Sequence, residues 1–173
     1  MSQIYIGIDP GVAGAIAYIN EDGSKYDVRD VPVVKVETKT KTKKGNKKKK
    51  TEYDLQSMAR LLAPFKKYDR VHVIIEESIA MPSQSSSTTG KAFFGNGLWT
   101  GMIAAFGYGM TRTRPVTWKR IMMRDLPGND KKASLLRARE LFPDAELHLA
   151  KHDGRAEALL LAEFLRRDMQ RGV

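Results

Sequence analysis

The sequence predicts an α/β fold. Its core is a mixed five-stranded sheet, three antiparallel strands followed by two parallel ones, flanked by helices. Three observations predict it. Short runs such as Ile4-Tyr5-Ile6-Gly7-Ile8 and Val71-His72-Val73-Ile74-Ile75 carry apolar residues on both strand faces, as central strands do. Turn signals at Asp9-Pro10-Gly11 and Asn20-Glu21-Asp22-Gly23 leave only strand-length segments between them. Beyond residue 54, segments of helical period alternate with further strands.

In chain order, residues 3–9 form the first strand, Ala13–Ile19 the second, and about Lys25–Val34 the third, joined as a meander. A lysine-rich insertion at about 36–52 follows. Asp54 is placed to cap a helix from Leu55 to about Lys66, in which Leu55, Met58, Ala59 and Leu62 have helical spacing. Val71–Glu76 is the fourth strand. After a polar loop, a Gly-rich apolar helix covers about Thr89–Phe106, with Gly97, Gly101 and Ala105 on one flat face suited to close backbone approach. Tyr108–Arg114 is the fifth strand. Helices at about Trp118–Arg124, Lys131–Leu141 and Asp153–Gln170 complete one domain spanning 1–173, with helical crossovers linking the parallel strands.

Composition bounds the function. At 173 residues, 42% hydrophobic and 29% charged, the chain is that of an ordinary globular domain able to bury a core. It has no cysteine, which excludes disulfides, thiolate metal sites and cysteine nucleophiles and fits a reducing compartment. No run approaches the ~20 apolar residues of a membrane span, and the chain runs from Met1 straight into a strand, so neither an anchor nor a signal peptide is expected. Of the formal net charge of +10, eight units come from Lys35–Lys50, which holds nine lysines against Glu37. Such a run cannot pack a core, and it is expected to be a mobile arm. It suits phosphate binding through Lys43, Lys44, Lys47, Lys48, Lys49 and Lys50.

Four acids stand on otherwise apolar elements: Asp9 and Glu76 at the ends of central strands, and Asp153 and Glu157 at the head of the last helix. A carboxylate buried without a partner is costly, so such groups are usually paired or coordinate a metal. Glu157 lies on the apolar stripe with Leu160, Leu161 and Phe164, opposite a solvated stripe of Glu163, Arg166, Arg167 and Gln170. Asp153 and Glu157 are four apart, and like charges at that spacing destabilise a helix by about 0.2–0.5 kcal/mol. A shared cation removes that cost. Each acid also has an ordinary reading: a turn residue for Asp9, an N-cap for Asp153 and a helix-dipole partner for Glu157. Period alone does not decide between Glu76 and Glu77, which face opposite sides. Oxygen-only ligands suit Mg²⁺, with Mn²⁺ as substitute, rather than zinc. His152 is placed either to assist proton transfer or to serve the fold.

The motifs Ile6-Gly7-Ile8-Asp9-Pro10-Gly11, Ile74-Ile75-Glu76 and His152-Asp153-Gly154-Arg155-Ala156-Glu157-Ala158-Leu159 occur in the order seen in the RuvC family of Holliday junction resolvases. The chain resembles the phage-type branch of that family along nearly its whole length. The resemblance implies a ribonuclease-H-like fold and a homodimer. It also implies Mg²⁺-dependent paired nicking of four-way DNA, giving 5′-phosphate and 3′-hydroxyl ends, with two ions per site held by Asp9, Glu76, Asp153 and Glu157. Bacterial members carry two aspartates three apart on the last helix, where this chain has an Asp and a Glu four apart, and the lysine insertion is foreign to their core pattern. By the same resemblance, Ile79–Phe106 forms the dimer and approaches the crossover. Ile79 or Met81 would then be a wedge between bases, and Phe93 and Phe94 dimer-core residues. Lys119, Arg120, Lys131 and Lys132 would clamp phosphates. The implied setting is the cytoplasm of a bacterium or phage-infected cell.

Three competing readings stay open: a non-catalytic module that binds branched DNA, an RNA-processing nuclease of the same fold, and a nucleotide-binding kinase-type domain. The last needs two such domains and well over this length, so no nucleotide cofactor is expected.

Overall fold

The computed structural model describes residues 1–41, 45, 47–80, 85–128 and 130–172. A five-stranded sheet has the order β3-β2-β1-β6-β7, and a separate two-stranded ribbon joins β4 to β5. The main-sheet strands are β1 (Gln3–Ile8), β2 (Ala15–Asn20), β3 (Tyr26–Asp30), β6 (Arg70–Glu76) and β7 (Gly109–Thr113). β1 pairs antiparallel with β2, and β2 with β3, while β6 lies parallel to both β1 and β7. This is the predicted meander with two parallel additions.

The sheet separates two cores. Ile4, Ile6 and Ile8 of β1 face α1 (Leu55–Leu62) and α2 (Ser86–Phe106), meeting Met58, Leu62 and Trp99. Tyr5 lies on the other face, with α3 (Pro115–Met122), α4 (Lys131–Leu141) and α5 (Asp153–Arg171). Among the described residues no helix is long and apolar enough to cross a membrane.

Caps and breakers explain the helix limits. Asp54 accepts from the Ser57 backbone at 3.1 Å and from its hydroxyl at 2.7 Å, starting α1 as predicted. α1 gives way at Leu62 to a 3₁₀ turn, Ala63–Lys67, whose Pro64 has no N–H to continue the α-ladder. α2 begins earlier than expected because Ser85 accepts from the Thr88 backbone, and it stops at Gly107, whose φ of +72° is the left-handed termination glycine allows.

Two expectations are corrected. The lysine segment, read as a mobile arm, is a ribbon of β4 (Val33–Lys41) and β5 (Lys47–Tyr53), registered from Val33 opposite Tyr53 to Lys41 opposite Lys47. Extended strands keep successive lysines on opposite faces, and the carboxylates of Glu37 and Glu52 pair with Lys47 and Lys50. Second, Glu163 is not on a solvated stripe. It is 4% exposed and clamped by Arg166 at 2.7 and 2.9 Å and by Arg167 at 2.6 Å. Arg166 and Gln170 also reach the Glu21 carbonyl, so the turn between β2 and β3 covers this face.

α5 rests directly on β1 and β2 because Gly7 has no side chain. A Cβ there would collide with the Ala158 carbonyl and the Ala162 amide and lie 2.9 Å from Leu161 Cβ. Gly7→Ala is therefore expected to lower stability by about 1–3 kcal/mol or more, the cost of overpacking, measured by urea unfolding. A variant as stable as the parent would show that α5 does not bear on β1 here.

Candidate active site

The acids are gathered by backbone. Asp9 directly follows β1 and Glu76 ends β6, and the parallel register sets Ile8 opposite Ile75, so both acids leave the sheet at the same edge. Side-chain alternation puts Asp9 on the face of Tyr5 and Gly7, and Glu76 on the face of Ile74, which belongs to the core under α5. Glu77 points the other way and pairs with Arg114 at 3.5 Å. Pairing with a surface arginine resolves the choice that period left open.

The loop after Asp9 is tight. Gly11 N–H donates to Asp9 Oδ1 at 3.3 Å, and Asp9 N–H donates to the Ala15 carbonyl at 3.0 Å. A Cβ on Gly14 would sit 2.8 Å from Asp9 Cγ, and one on Gly154 would sit 3.2 Å from Asp9 Oδ2 and 2.5 Å from the Ala13 carbonyl. The first turn of α5 is thus laid against Asp9, carrying Asp153 and Glu157 with it.

Each remaining acid has a partner. Trp118 Nε1 donates to Glu76 Oε2 at 2.7 Å, and Asn96 of α2 holds the Glu76 carbonyl at 2.7 Å. Lys119 Nζ donates to Glu157 Oε1 at 2.6 Å, and Ser134 Oγ reaches the same oxygen at 3.3 Å. Lys131 pairs with Asp153. Lys119 and Lys131, expected as phosphate clamps, are paired with these acids, Lys119 largely buried and Lys131 from an exposed position. Lys132 is exposed, and only its backbone is engaged, by Asp130. Trp118, Ser134 and Asn96 were missed in sequence, where they read as core or helix residues.

Burial first, and Glu157 next, push Asp9 up to about 6. Burial likewise pushes Glu76 up to about 7, with Glu157 and Asp9 adding repulsion and the Trp118 hydrogen bond opposing it. Among the described residues no three His, Asp or Glu side chains are grouped to hold one metal ion, and Glu157 and Asp153 are each paired with a lysine. The chemistry of the four acids is of the kind a hard divalent cation takes. The set consists of carboxylate oxygens only, mutually repelling, with two ammonium groups supplying the positive charge.

A cleft of about 300 Å³ opens on Asp9 and Glu76, walled by Pro10, Ser78, Ile79 and Pro115. Ile79 is 48% exposed at its rim. Lys43, Lys44 and Met81 lie outside the described residues. Lys48 and Lys49 are exposed. Gly97, Gly101 and Ala105 form an exposed face beside exposed Phe93 and Phe94, and among the described residues nothing lies within 4 Å of a Cβ placed on either glycine. The close approach predicted for that face occurs at Gly95 instead, against Pro10 and Tyr53. His152 is buried, and the charged groups that act on it are Arg155, His148, Asp30 and Lys151, none of them one of the four acids.

No family model matches this sequence, and no curated protein matches it. Solved structures do. The chain is similar to Thermus thermophilus RuvC in complex with a Holliday junction substrate, with a TM-score of 0.59 and 16% identity over 98% of this chain and 96% of that one. Another Thermus thermophilus RuvC structure matches with a TM-score of 0.53 at the same identity and coverage. The fold is therefore the ribonuclease-H-like fold of RuvC.

The raised acids predict a pH signature. Folded Asp9 and Glu76 hold protons more tightly than their ordinary values of 3.8 and 4.5. Their stabilising contribution is whole below about pH 4 and is lost as pH rises through 6 to 7. In EDTA, the parent should lose a few kcal/mol more stability between pH 5 and pH 8 than an Asp9→Asn/Glu76→Gln variant. Unfolding curves with parallel pH dependence would contradict this.

Proposed function

We propose that the chain is a metal-dependent, structure-selective DNA endonuclease. It resolves four-way junctions by paired symmetric nicking and also cuts other branched DNA, inside a bacterial or phage-infected cell. The observation that carries this reading is the meeting of Asp9, Glu76 and the head of α5 at one sheet edge, in a fold shared with RuvC. Asp9, Glu76, Asp153 and Glu157 would hold two Mg²⁺ or Mn²⁺ ions, which supply activation of water and stabilisation of the leaving 3′ oxygen.

The residues prepare that chemistry. Trp118 and Asn96 hold Glu76 in one orientation, so its oxygen faces the cleft without a search over rotamers. Gly11 does the same for Asp9. Lys119 and Lys131 offset the acid charge in the metal-free protein and must release Glu157 and Asp153 on loading. Once released, both are cations at the rim of the site, suited to contact the DNA backbone. Ile79 at the cleft mouth is set to unstack a base step.

A second copy would cover the open α2 face of Gly97, Gly101 and Ala105 with Phe93 and Phe94. A two-fold dimer would present one site to each of two symmetric strands.

The lysine pairs favour one other reading, a clamp that binds branched DNA without cutting, because ammonium groups already satisfy Glu157 and Asp153. A panel of labelled junctions, flaps and forks, with Mg²⁺ or EDTA, separates the two. Cutting in Mg²⁺ alone is expected, and Asp9→Asn should bind junctions but cut at least about a hundredfold more slowly. Full cutting by Asp9→Asn would remove the acid site as the cause. Deleting residues 38–50 should flatten the dependence of log K on log salt, by about 0.9 for each phosphate that the ribbon neutralises in the parent. An unchanged slope would take the ribbon out of phosphate binding.

A further inference from the structure

The ribbon has a property that its charge does not explain: both its feet hold the loop that follows Asp9. At one foot, Val31 N–H donates to the Gly14 carbonyl at 3.0 Å. At the other, the Tyr53 hydroxyl donates to the Pro10 carbonyl at 3.0 Å. The feet are joined to each other, since Val33 pairs with Tyr53 and Asp54 N–H donates to the Pro32 carbonyl at 2.9 Å. Residues 10–14 are therefore suspended between the ribbon's two strands, with Asp9 one residue from the Tyr53 contact.

The contact is built into the packing. On α2, a Cβ at Gly95 would fall 2.6 Å from the Pro10 carbonyl and 2.7 Å from Tyr53 Cζ, so only a residue without a side chain admits both groups. The ring of Phe94 flanks Tyr53 at 6.1 Å. Tyr53 is also near enough to the site for the Asp9 charge to act on it: burial first, and Asp9 second, raise its hydroxyl above the usual value.

Farther along the strands, Lys35, Lys48 and Lys49 are exposed, and among the described residues they have no carboxylate partner. Lys35 sits opposite Thr51, two residues from Tyr53. A phosphate gripped at Lys48 or Lys49 would be held by β5, the strand whose end carries the Tyr53 contact.

We propose that Tyr53 is a positioning residue through which the lysine ribbon, on engaging DNA phosphates, sets the Pro10–Gly14 loop and with it Asp9. The ribbon then acts on the cutting rate of bound DNA as well as on affinity. This rests on the nuclease reading for its kinetic consequence only. A tyrosine that merely satisfies its buried hydroxyl would lower stability in Tyr53→Phe, but its effect would not depend on lysines elsewhere on the ribbon.

The test is a double-mutant cycle on the full chain, crossing Tyr53→Phe with a triple Lys35→Gln/Lys48→Gln/Lys49→Gln variant, using a four-way DNA junction as ligand. Two quantities are read: deuterium exchange of residues 9–15 with and without DNA, and the single-turnover cleavage rate at saturating protein. Tyr53→Phe is expected to keep junction affinity within about twofold yet lose roughly fivefold in DNA-induced exchange protection, the size of one hydrogen bond. It should lose a similar factor in saturated rate. In the triple variant, adding Tyr53→Phe should cost nothing further. Parent-like protection in Tyr53→Phe, or losses that simply multiply in the combined variant, would overturn the proposal. If the parent binds junctions and never cuts them, the nuclease reading fails by itself, and the exchange cycle still decides the role of Tyr53.

Discussion

The contact of α5 with the sheet at Gly7 is the constraint from which the rest of the molecule follows. Helix and strand meet backbone to backbone there, leaving no space for a Cβ. That contact determines how far α5 sinks toward β1, and Gly154 and Gly14 repeat the condition where the helix begins. An added methyl at Gly7 or Gly154 would push α5 off the strand and loop, and one at Gly14 would strike Asp9 itself. Interiors are close-packed and do not absorb such a shift locally. Small residues therefore place the acids although they carry no chemistry themselves.

Bringing carboxylates together creates a second constraint, which is electrostatic. Asp9 and Glu76 are lifted toward neutrality by burial and by Glu157, while Glu157 and Asp153 are held by Lys119 and Lys131. Proton affinity is thus raised on one side of the acid group, and ammonium groups offset its charge on the other. Charge also orients the two lysines: Lys119 is largely buried against Glu157, while Lys131 stays exposed and reaches Asp153 from the surface.

The ribbon joins these two constraints to the charge of the chain. Its strands give the lysines a defined spacing, and its feet grip the loop between Asp9 and β2. A basic surface and the loop after Asp9 are thereby parts of one hydrogen-bonded unit. α2 contributes from the opposite side through Gly95 and Asn96, so the helix with the open small-residue face also touches both the Asp9 loop and Glu76.

The sequence by itself determined the sheet, because strand period and turn chemistry are local properties. The five main-sheet strands, their antiparallel and parallel senses and the Asp54 cap follow from residues within a few positions of each other. The same local rule marked Asp9, Glu76, Asp153 and Glu157, since an acid on an apolar stripe is visible without knowing its neighbours. Only the tertiary structure decided what those acids touch. Trp118, Ser134 and Lys119 reach them from elements 23 to 42 residues away, and no period records such a meeting. It also turned Glu76 inward and Glu77 outward, buried Glu163 against two arginines, and paired two lysine-rich strands that composition alone describes as a solvated arm. In each case the deciding energy lies between groups distant along the chain.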